Sequence, residues 1–290
     1  MPGADEMPVH TMAAGLTAHA DDRSATRPGD PLPPPGAEPA AADPFGTAAL
    51  SKLGHELRSP LAAIIGLSRV LLLQLEAGTS DAATQARQIS MIQTSAARSL
   101  STIEQVVDLA KIASGGVLPR FQLADCRGIV TDMAASLRAA AAERGLRLRA
   151  DLPDHPVMVC TDPGILSRIL GELVGNGLKF SDAAEIRVRL QAGPPHAAEE
   201  PAAIYVCDDG PGIPAHEQAR IFGPFERGEL ATTRDDGAAG LGLHLARQQA
   251  RLLGAELSLN SQEGAGSTFA ITFAHPRARP GTTTGADPGS

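Results

Sequence analysis

Two stretches of helical periodicity, from about Ala48 to Ser114, constrain the fold more than any other feature of the sequence. In each stretch apolar residues recur at steps of three and four, which places them on one face of a helix. These residues are Leu50, Leu53, Leu57, Leu61, Ile64 and Ile65 in the first stretch and Ile89, Ile92, Ala96, Leu100, Ile103 and Val107 in the second. The segment 77–81 predicts a turn between the helices, and Gly115 and Gly116 predict the end of the second helix.

A hairpin of two such helices has one apolar face per helix and too few partners to cover both faces. Pairing of two hairpins into a four-helix bundle covers them. The sequence therefore predicts a homodimer that is held together by these helices.

From Leu118 onward the pattern changes to alternating strands and helices. Strand patterns lie at 147–151, 156–160, 185–190, 203–207, 256–260 and 267–273, and helical patterns lie at 124–143, 163–179 and 241–253. Asp162 and Pro163 form a favourable N-cap and first-turn pair for the second of these helices. The order predicts an α+β fold in which helices pack on one face of a mixed sheet.

The overall charge and the apolar runs exclude some classes of partner. A net charge of -8 argues against nucleic acid, because phosphate binding calls for a basic face. The longest apolar runs, such as 70–73, stop far short of the roughly 20 residues that cross a bilayer. We therefore expect a cytoplasmic protein with no membrane span. The 3 cysteines are dispersed and odd in number, as is typical of reduced thiols.

Both ends of the chain differ in composition from the middle. Residues 1–44 are rich in Pro, Ala, Gly and Asp, and residues 276–290 have the same character, so both are predicted to be disordered tails. Between them we expect a helical hairpin at 45–116 and an α/β domain at 117–275. This division leaves no room for a sensor domain before the helices, so the input signal is expected to arrive through the tail, the bundle or an upstream sensor protein.

Five short segments carry chemically meaningful residues in a fixed order. They read SKLGHELRSPL at 51–61, NGLKFS at 176–181, DDGPGI at 208–213, IFGPFER at 221–227 and GLGL at 240–243. Each is common alone, but together they resemble the H, N, G1, F and G2 boxes of two-component sensor histidine kinases, over roughly residues 46–275. The resemblance implies a dimeric phosphotransfer bundle followed by the ATP-binding α/β sandwich that histidine kinases share with gyrases.

His55 is the candidate phosphoryl acceptor. It lies two residues from both Leu53 and Leu57, which sets it off the apolar face and toward solvent. An acceptor must be exposed and neutral, and imidazole side chains are largely unprotonated at neutral pH. The adjacent Glu56 can orient the ring and take up its proton. Pro60 should kink the helix just after His55.

The resemblance extends the catalytic set and implies the nucleotide site. With His55 and Glu56 it implies catalytic roles for Arg58 and Ser59. It implies nucleotide contacts for Asn176, Lys179, Phe180, Asp208, Gly210, Gly212, Ile213, Phe222, Phe225, Arg227, Gly240, Leu241, Gly242, Leu243 and Thr268, and Mg²⁺ ligands at Asn176 and Glu172. In similar proteins an Asp in the position of Asp208 accepts a hydrogen bond from the adenine amino group, and a lid, here 228–239 with Arg234, covers the nucleotide.

Residue chemistry supports part of this assignment. Asn176 and Lys179 share one helix face, so that a neutral oxygen and a cation can meet a triphosphate from one side. Gly210 and Gly212 let the backbone pass close to a base. Gly240 and Gly242 open a helix whose free amides can receive phosphate.

Three departures from the family pattern bear on function. Glu172 stands where many histidine kinases carry an Asn, and gyrase-type ATPases use a Glu there as a general base. Ala238 and Ala239 replace the usual Gly and Thr or Ser before Gly240. Ser59 replaces the Thr or Asn that positions water for removal of phosphate from the partner regulator, although a hydroxyl remains.

The function that we expect from these observations is an ATP-dependent protein histidine kinase. It would phosphorylate His55 and pass the phosphoryl group to an aspartate on the receiver domain of a response regulator, with ATP and Mg²⁺. Two alternatives stay open. One is a gyrase-like ATPase switch, which Glu172 favours, and the other is a phosphorelay or scaffold dimer without kinase activity.

Overall fold

The computed structural model describes residues 46–180, 185–192, 202–226, 228 and 239–273. Both predicted tails lie outside this part of the chain. It opens with two long helices, α1 at Gly46–Glu76 and α2 at Ala82–Ala113, which pack on each other. The predicted hairpin is confirmed, and Pro60 lies inside α1, which continues through it.

Polar contacts fix the turn between the helices. The Asp81 carboxylate caps α2 by accepting a hydrogen bond from the Thr84 amide at 2.8 Å. Gln88 donates to Gln74 across the two helices at 2.9 Å. At the far end Gly115 adopts a positive φ of 69° and stops α2, as its position in the sequence predicts.

Many apolar side chains of the hairpin remain uncovered in the single chain. Ile65 is 66% exposed and Leu72 is 60% exposed on α1, and Leu100 is 57% exposed on α2. Among the described residues one stretch, Leu50–Glu76, is long and apolar enough to cross a membrane by length and composition alone. The unbroken apolar runs of the sequence did not predict this stretch, because polar residues interrupt the apolar ones along the helix.

The second domain contains seven strands and four further α-helices among the described residues. In chain order they are β1 (Gln122–Asp125), α3 (Cys126–Glu143), β2 (Arg147–Asp151), β3 (Met158–Thr161), α4 (Pro163–Phe180), β4 (Glu185–Gln191), β5 (Ala203–Asp208), α5 (Ala215–Gln218), α6 (Gly242–Leu252), β6 (Ala255–Gln262) and β7 (Gly266–Phe273). A 3₁₀ turn, Arg220–Phe222, follows α5. The main sheet has the order β2-β4-β5-β7-β6, in which only β2 and β4 run parallel. The predicted mixed sheet is confirmed.

Strand β1 was missed, and the start of α3 was predicted two residues too early. Ala124 and Asp125 pair with Val159 and Met158 in a small antiparallel sheet. The Asp125 carboxylate then accepts hydrogen bonds from the amides of Arg127 and Val157, both at 3.0 Å, and so caps α3. The pairing partner lies more than thirty residues away, so that local periodicity could not reveal this strand.

The core lies between one face of the main sheet and the helices α3, α4 and α6. Helix α4 supplies five side chains of at most 1% exposure, namely Leu166, Ile169, Leu170, Leu173 and Val174. They pack with Ile186, Ile204 and Ile271 of the sheet. Asp162 caps α4 as predicted, with its carboxylate accepting from the amides of Gly164 and Ile165. The helix therefore lies over β5, the strand that ends at Asp208.

Candidate functional site

His55 lies exposed on α1, as its position off the apolar stripe predicts. Glu56 is half-buried beside it, and Arg58 and Ser59 are exposed one turn further on. The ring is therefore accessible to a reactant from outside its own helix, and a carboxylate is adjacent in sequence.

The α1 segment that carries His55 contacts the second domain. Lys52 Nζ lies 2.8 Å from Glu226 Oε1, and Arg220 Nη2 lies 3.1 Å from the other oxygen. The hydrogen bond from Lys52 holds the pKa of Glu226 below its ordinary value, against burial and with help from Arg220. Leu53 packs beside a cluster formed by Leu109, Phe225, Ala239, Leu241 and Leu245. The helix that carries His55 thus touches the F and G2 segments directly.

Asp208 ends β5, half-buried in the second domain. Burial raises the pKa of its carboxyl above the ordinary value, and hydrogen bonds from the backbone amides of Gly210 and Ser267 partly offset the rise. The Gly210 amide lies 3.0 Å from Oδ1. Gly266 has a φ of 90°, and a Cβ there would overlap the Asp208 carbonyl oxygen. Thr268, half-buried on the neighbouring strand, pairs with Cys207 next to Asp208.

A polar network that the sequence analysis missed holds the 209–213 loop. Ser261 Oγ accepts from the Ile213 amide at 2.8 Å and donates to the Gly266 carbonyl at 2.9 Å. Gln218 Nε2 donates to the carbonyls of Ile213 and Ser261. Ser261 lies 48 residues from Ile213 in sequence, and neither Ser261 nor Gln218 belongs to a recognisable motif. Only the tertiary fold brings them to it.

Gly212 is the position in this loop where a side chain is excluded. Its φ is 71°, and a Cβ would overlap the Gln262 carbonyl oxygen. We expect Gly212→Ala to lower the free energy of unfolding by about 1–3 kcal/mol and to weaken nucleotide binding. The control is Gly254→Ala, since Gly254 has a similar φ of 68° and nothing within 4 Å of the added Cβ. Equal thermal shifts in the two variants would show that strain alone, and not the close approach, matters at Gly212.

Helix α4 carries Glu172, Asn176 and Lys179, all half-buried, along one face. The neighbouring Gly177 packs on Ile186, whose Cδ1 lies 3.1 Å from where a Cβ would be. Ile186 pairs with Asp208 in the sheet, so the N and G1 segments lie at the same end of the domain. Phe180 is half-buried at the end of the helix.

The F segment is anchored by two buried aromatic rings. Phe222 belongs to the main core and meets Phe269 edge to face, with ring centroids 6.3 Å apart. Phe225 lies in the cluster beneath α2 and, with a φ of 59°, is the one non-glycine among the described residues with a positive φ. Gly240, with a φ of 70°, passes so close that a Cβ would lie 2.7 Å from the Glu226 carbonyl oxygen.

The G2 segment leads directly into α6. Leu241 is fully buried, Leu243 is half-buried, and the helix begins at Gly242, one residue later than predicted. The first amides of a helix have no partner within the helix, and they can bind phosphate. Arg227, Arg234 and most of the predicted lid lie outside the described residues, and Ala239 at its far end is buried.

The donor set of the pocket fits a nucleotide that carries a magnesium ion. Mg²⁺ prefers oxygen ligands and usually binds through one or two protein groups and substrate phosphates. Asn176 and Glu172 offer such oxygens one turn apart on α4. In the described part of the chain no three His, Cys, Asp or Glu side chains gather to hold a metal alone.

The fold and the site define a two-domain protein, in which a hairpin with an exposed histidine precedes a nucleotide-binding type of α/β sandwich. Residues 47–115 match the His Kinase A (phospho-acceptor) domain, and residues 161–277 match the histidine kinase-, DNA gyrase B- and HSP90-like ATPase domain. The chain therefore belongs to the two-component sensor histidine kinases, as the resemblance in its sequence implied.

Individual relatives agree with this assignment. The chain is 30% identical over 224 residues to the histidine-protein kinase BarA of Escherichia coli K12. The aligned region covers 76% of this chain and 24% of BarA. It is 32% identical over 232 residues to the sensor histidine kinase AruS of Pseudomonas aeruginosa. The aligned region covers 79% of this chain and 22% of AruS. The chain thus spans about a quarter of the length of these curated relatives.

Solved structures show the same fold. The histidine kinase AdeS of Acinetobacter baumannii superposes with a TM-score of 0.57 at 19% identity, covering 76% of this chain and 96% of AdeS. Full-length ShkA in complex with AMPPNP gives a TM-score of 0.56 at 23% identity, covering 78% of this chain and 45% of ShkA.

Proposed function

We propose that the chain is an ATP-dependent protein histidine kinase that phosphorylates His55. The observation that carries the proposal is the direct packing of the acceptor helix on the candidate ATP site. Lys52 and Leu53, just before His55, contact the F and G2 segments. A nucleotide γ-phosphate held near α6 would then lie on the side of the domain that faces the acceptor helix.

The proposed reaction needs mainly positioning and charge neutralisation. A ring nitrogen of His55 forms a bond to the γ-phosphorus as the bond to the β–γ bridging oxygen breaks, ADP leaves, and Glu56 takes up the proton of the ring. Asp208 orients the adenine, and Lys179 and the α6 amides bind phosphate oxygens. Mg²⁺, bound through Asn176, would supply further neutralisation of the phosphate charge.

The second half of the proposed function is transfer to a partner. We infer that the phosphoramidate on His55 passes to an aspartate on the receiver domain of a response regulator. An exposed acceptor histidine suits such an exchange, since a second protein can approach it. The same proposal includes a cytoplasmic location, with the input signal arriving through the tail, the bundle or an upstream sensor protein.

One specific feature favours a second candidate function. Glu172 is a carboxylate close to the candidate phosphate site, and a carboxylate can activate water as a general base. A gyrase-like ATPase switch would use it in that way. A phosphorelay or scaffold dimer, in contrast, would leave the intact Asn176, Lys179 and Asp208 without a role.

Incubation with γ-labelled ATP separates these functions. The kinase predicts acid-labile label on the protein, which chases to a purified receiver domain. Release of free phosphate without protein label would support the ATPase switch. The absence of both protein label and free phosphate would support the scaffold dimer. The last two results would each contradict the proposal.

We further propose that two hairpins pair through the uncovered apolar side chains of α1 and α2. Ile65→Glu is expected to raise the dissociation constant of the dimer about 100-fold or more, because each dimer would bury two carboxylates. Sedimentation velocity over a concentration series measures this. Ala63→Glu adds the same charge away from the apolar stripe at an exposed position and should leave the dimer intact. A monomeric wild-type protein, or equal effects of both variants, would contradict this mode of pairing.

A further inference from the structure

A polar contact joins the two domains at Glu172. Gln105 Nε2 of α2 lies 3.3 Å from Glu172 Oε1 of α4, and both side chains are half-buried. Gln105 belongs to none of the sequence motifs. It nevertheless supplies a donor to Glu172, one of the residues at which this chain departs from the pattern of many histidine kinases.

The second oxygen of the same carboxylate faces the start of α6. A Cβ on Gly242 would overlap Glu172 Oε2 and would lie 3.8 Å from Gln105 Nε2. The absence of a side chain at Gly242 thus makes the room that the carboxylate occupies. Three helices, α2, α4 and α6, therefore meet around one ionisable group, and two of them carry candidate nucleotide residues.

Other contacts between α2 and the second domain surround this one. The apolar cluster of Leu109, Phe225, Leu241 and Leu245 lies one turn along α2 from Gln105. Asp108 pairs with Arg168 at 3.4 Å, but the Arg168 side chain is 67% exposed, so that this pair contributes little. The apolar cluster provides the attraction between the domains, whereas the Gln105 contact fixes the direction of one carboxylate.

We propose that Gln105 is a positioning residue that occupies Oε1 of Glu172 while Oε2 lies against Gly242, so that neither oxygen is free to accept a proton from water at the nucleotide. This inference rests on the proposed kinase function. When the hairpin is docked, both carboxylate oxygens are turned toward Gln105 and α6. When the contact is lost, the carboxylate is free to turn along the α4 face that carries Asn176 one turn away. Docking of the acceptor helices would thus direct the phosphoryl group to His55 and not to water.

The side reaction that the contact prevents is ordinary hydrolysis. A water oxygen forms a bond to the γ-phosphorus while the bond to the β–γ bridging oxygen breaks, and Glu172 takes up a proton of that water. The products are ADP and inorganic phosphate, and the proton passes from the carboxylate to solvent. Loss of one hydrogen bond to a charged group is large enough to change this partition measurably.

The test measures the ratio of free phosphate to His55-bound phosphate in the full chain with γ-labelled ATP. Gln105→Leu removes the donor, and we expect this ratio to rise about tenfold. In the double variant Gln105→Leu/Glu172→Gln the ratio should fall back to that of Glu172→Gln alone, because no carboxylate is left to release. Asp108→Asn, which breaks the exposed contact one turn away, should keep the wild-type ratio.

The outcomes separate this inference from the kinase assignment. Labelled wild-type protein with an unchanged ratio in Gln105→Leu would overturn the role of Gln105 and leave the kinase intact. A rise that persists in the double variant, or that also appears in Asp108→Asn, would show general undocking and would equally overturn it. Absence of label on the wild-type protein would overturn the kinase itself.

A second measurement needs no nucleotide. A double-mutant cycle on thermal unfolding of the nucleotide-free protein compares Gln105→Leu, Glu172→Gln and the double variant. A direct contact predicts non-additive shifts of Tm. The loss of Tm in the double variant should be smaller than the sum of the losses in the two single variants. Additive shifts would show that the two side chains do not interact and would overturn the inference.

Discussion

His55→Gln is expected to abolish acid-labile phosphorylation from ATP while the affinity for ATP stays nearly unchanged. An amide side chain cannot accept the phosphoryl group in place of an imidazole nitrogen. His55 is exposed on α1, and the candidate ATP contacts lie in the other domain, so that its loss removes no nucleotide contact. The label on the protein after incubation with γ-labelled ATP measures the first effect, and isothermal titration calorimetry measures the second.

His155→Gln provides the matched control for this prediction. His155 is also exposed but lies in the loop before β3. The His155→Gln variant should be labelled to the same extent as the wild-type protein. Retained acid-labile label in His55→Gln would show that another residue is the acceptor and would contradict the assignment.

Asp208→Asn is expected to weaken nucleotide binding by about 1.5–3 kcal/mol. The change replaces a charged acceptor by a neutral amide, which can turn a donor toward the amino group of adenine. Titration calorimetry with ATP measures the loss, and Asp209→Asn is the control, because Asp209 is adjacent but exposed. Wild-type affinity in the Asp208 variant would refute its adenine role.

The raised pKa of Asp208 adds a pH dependence to this prediction. Because burial raises the pKa, the folded protein binds this proton more tightly than the unfolded chain. The contribution of the Asp208 carboxyl to stability is full below the pKa of this group in the unfolded chain. It falls as the pH rises through the higher pKa of the group in the folded protein. Nucleotide affinity changes in the opposite sense. It should fall as the pH is lowered through the raised pKa in the wild-type protein, and Asp208→Asn should lack this fall.

Local patterns were sufficient for the elements that carry the site. The two hairpin helices follow from apolar periodicity, and α4 begins where Asp162 and Pro163 predict it. Strand β1 was missed because its four residues gain their structure from pairing with β3. The helix start that overlapped it was wrong for the same reason. Short strands are defined by their partners, and their own sequence carries little signal.

The residues of the candidate site also fall into two groups, those that the sequence predicts and those that only the fold reveals. His55, Asn176, Lys179, Asp208 and the glycines of the G1 and G2 segments stand out in sequence because the chemistry requires particular residue types at fixed spacing. Ser261, Gln218 and Gly266, which hold the 209–213 loop, do not stand out. Ser261 and Gly266 reach the loop only across the fold, and Gln218 links the nearby Ile213 carbonyl to the distant Ser261 carbonyl. Arg227 and Arg234 stay predictions, because they lie outside the described residues.

The sequence by itself determined the helical hairpin, the mixed sheet and the residue types of the acceptor and nucleotide segments, because each depends on short-range periodicity or on a local turn. Only the tertiary structure decided which surfaces meet. Lys52 with Glu226 and Gln105 with Glu172 are separated by 174 and 67 residues. No local pattern specifies such a pair, since a contact between distant side chains depends on the packing of whole helices and sheets against each other.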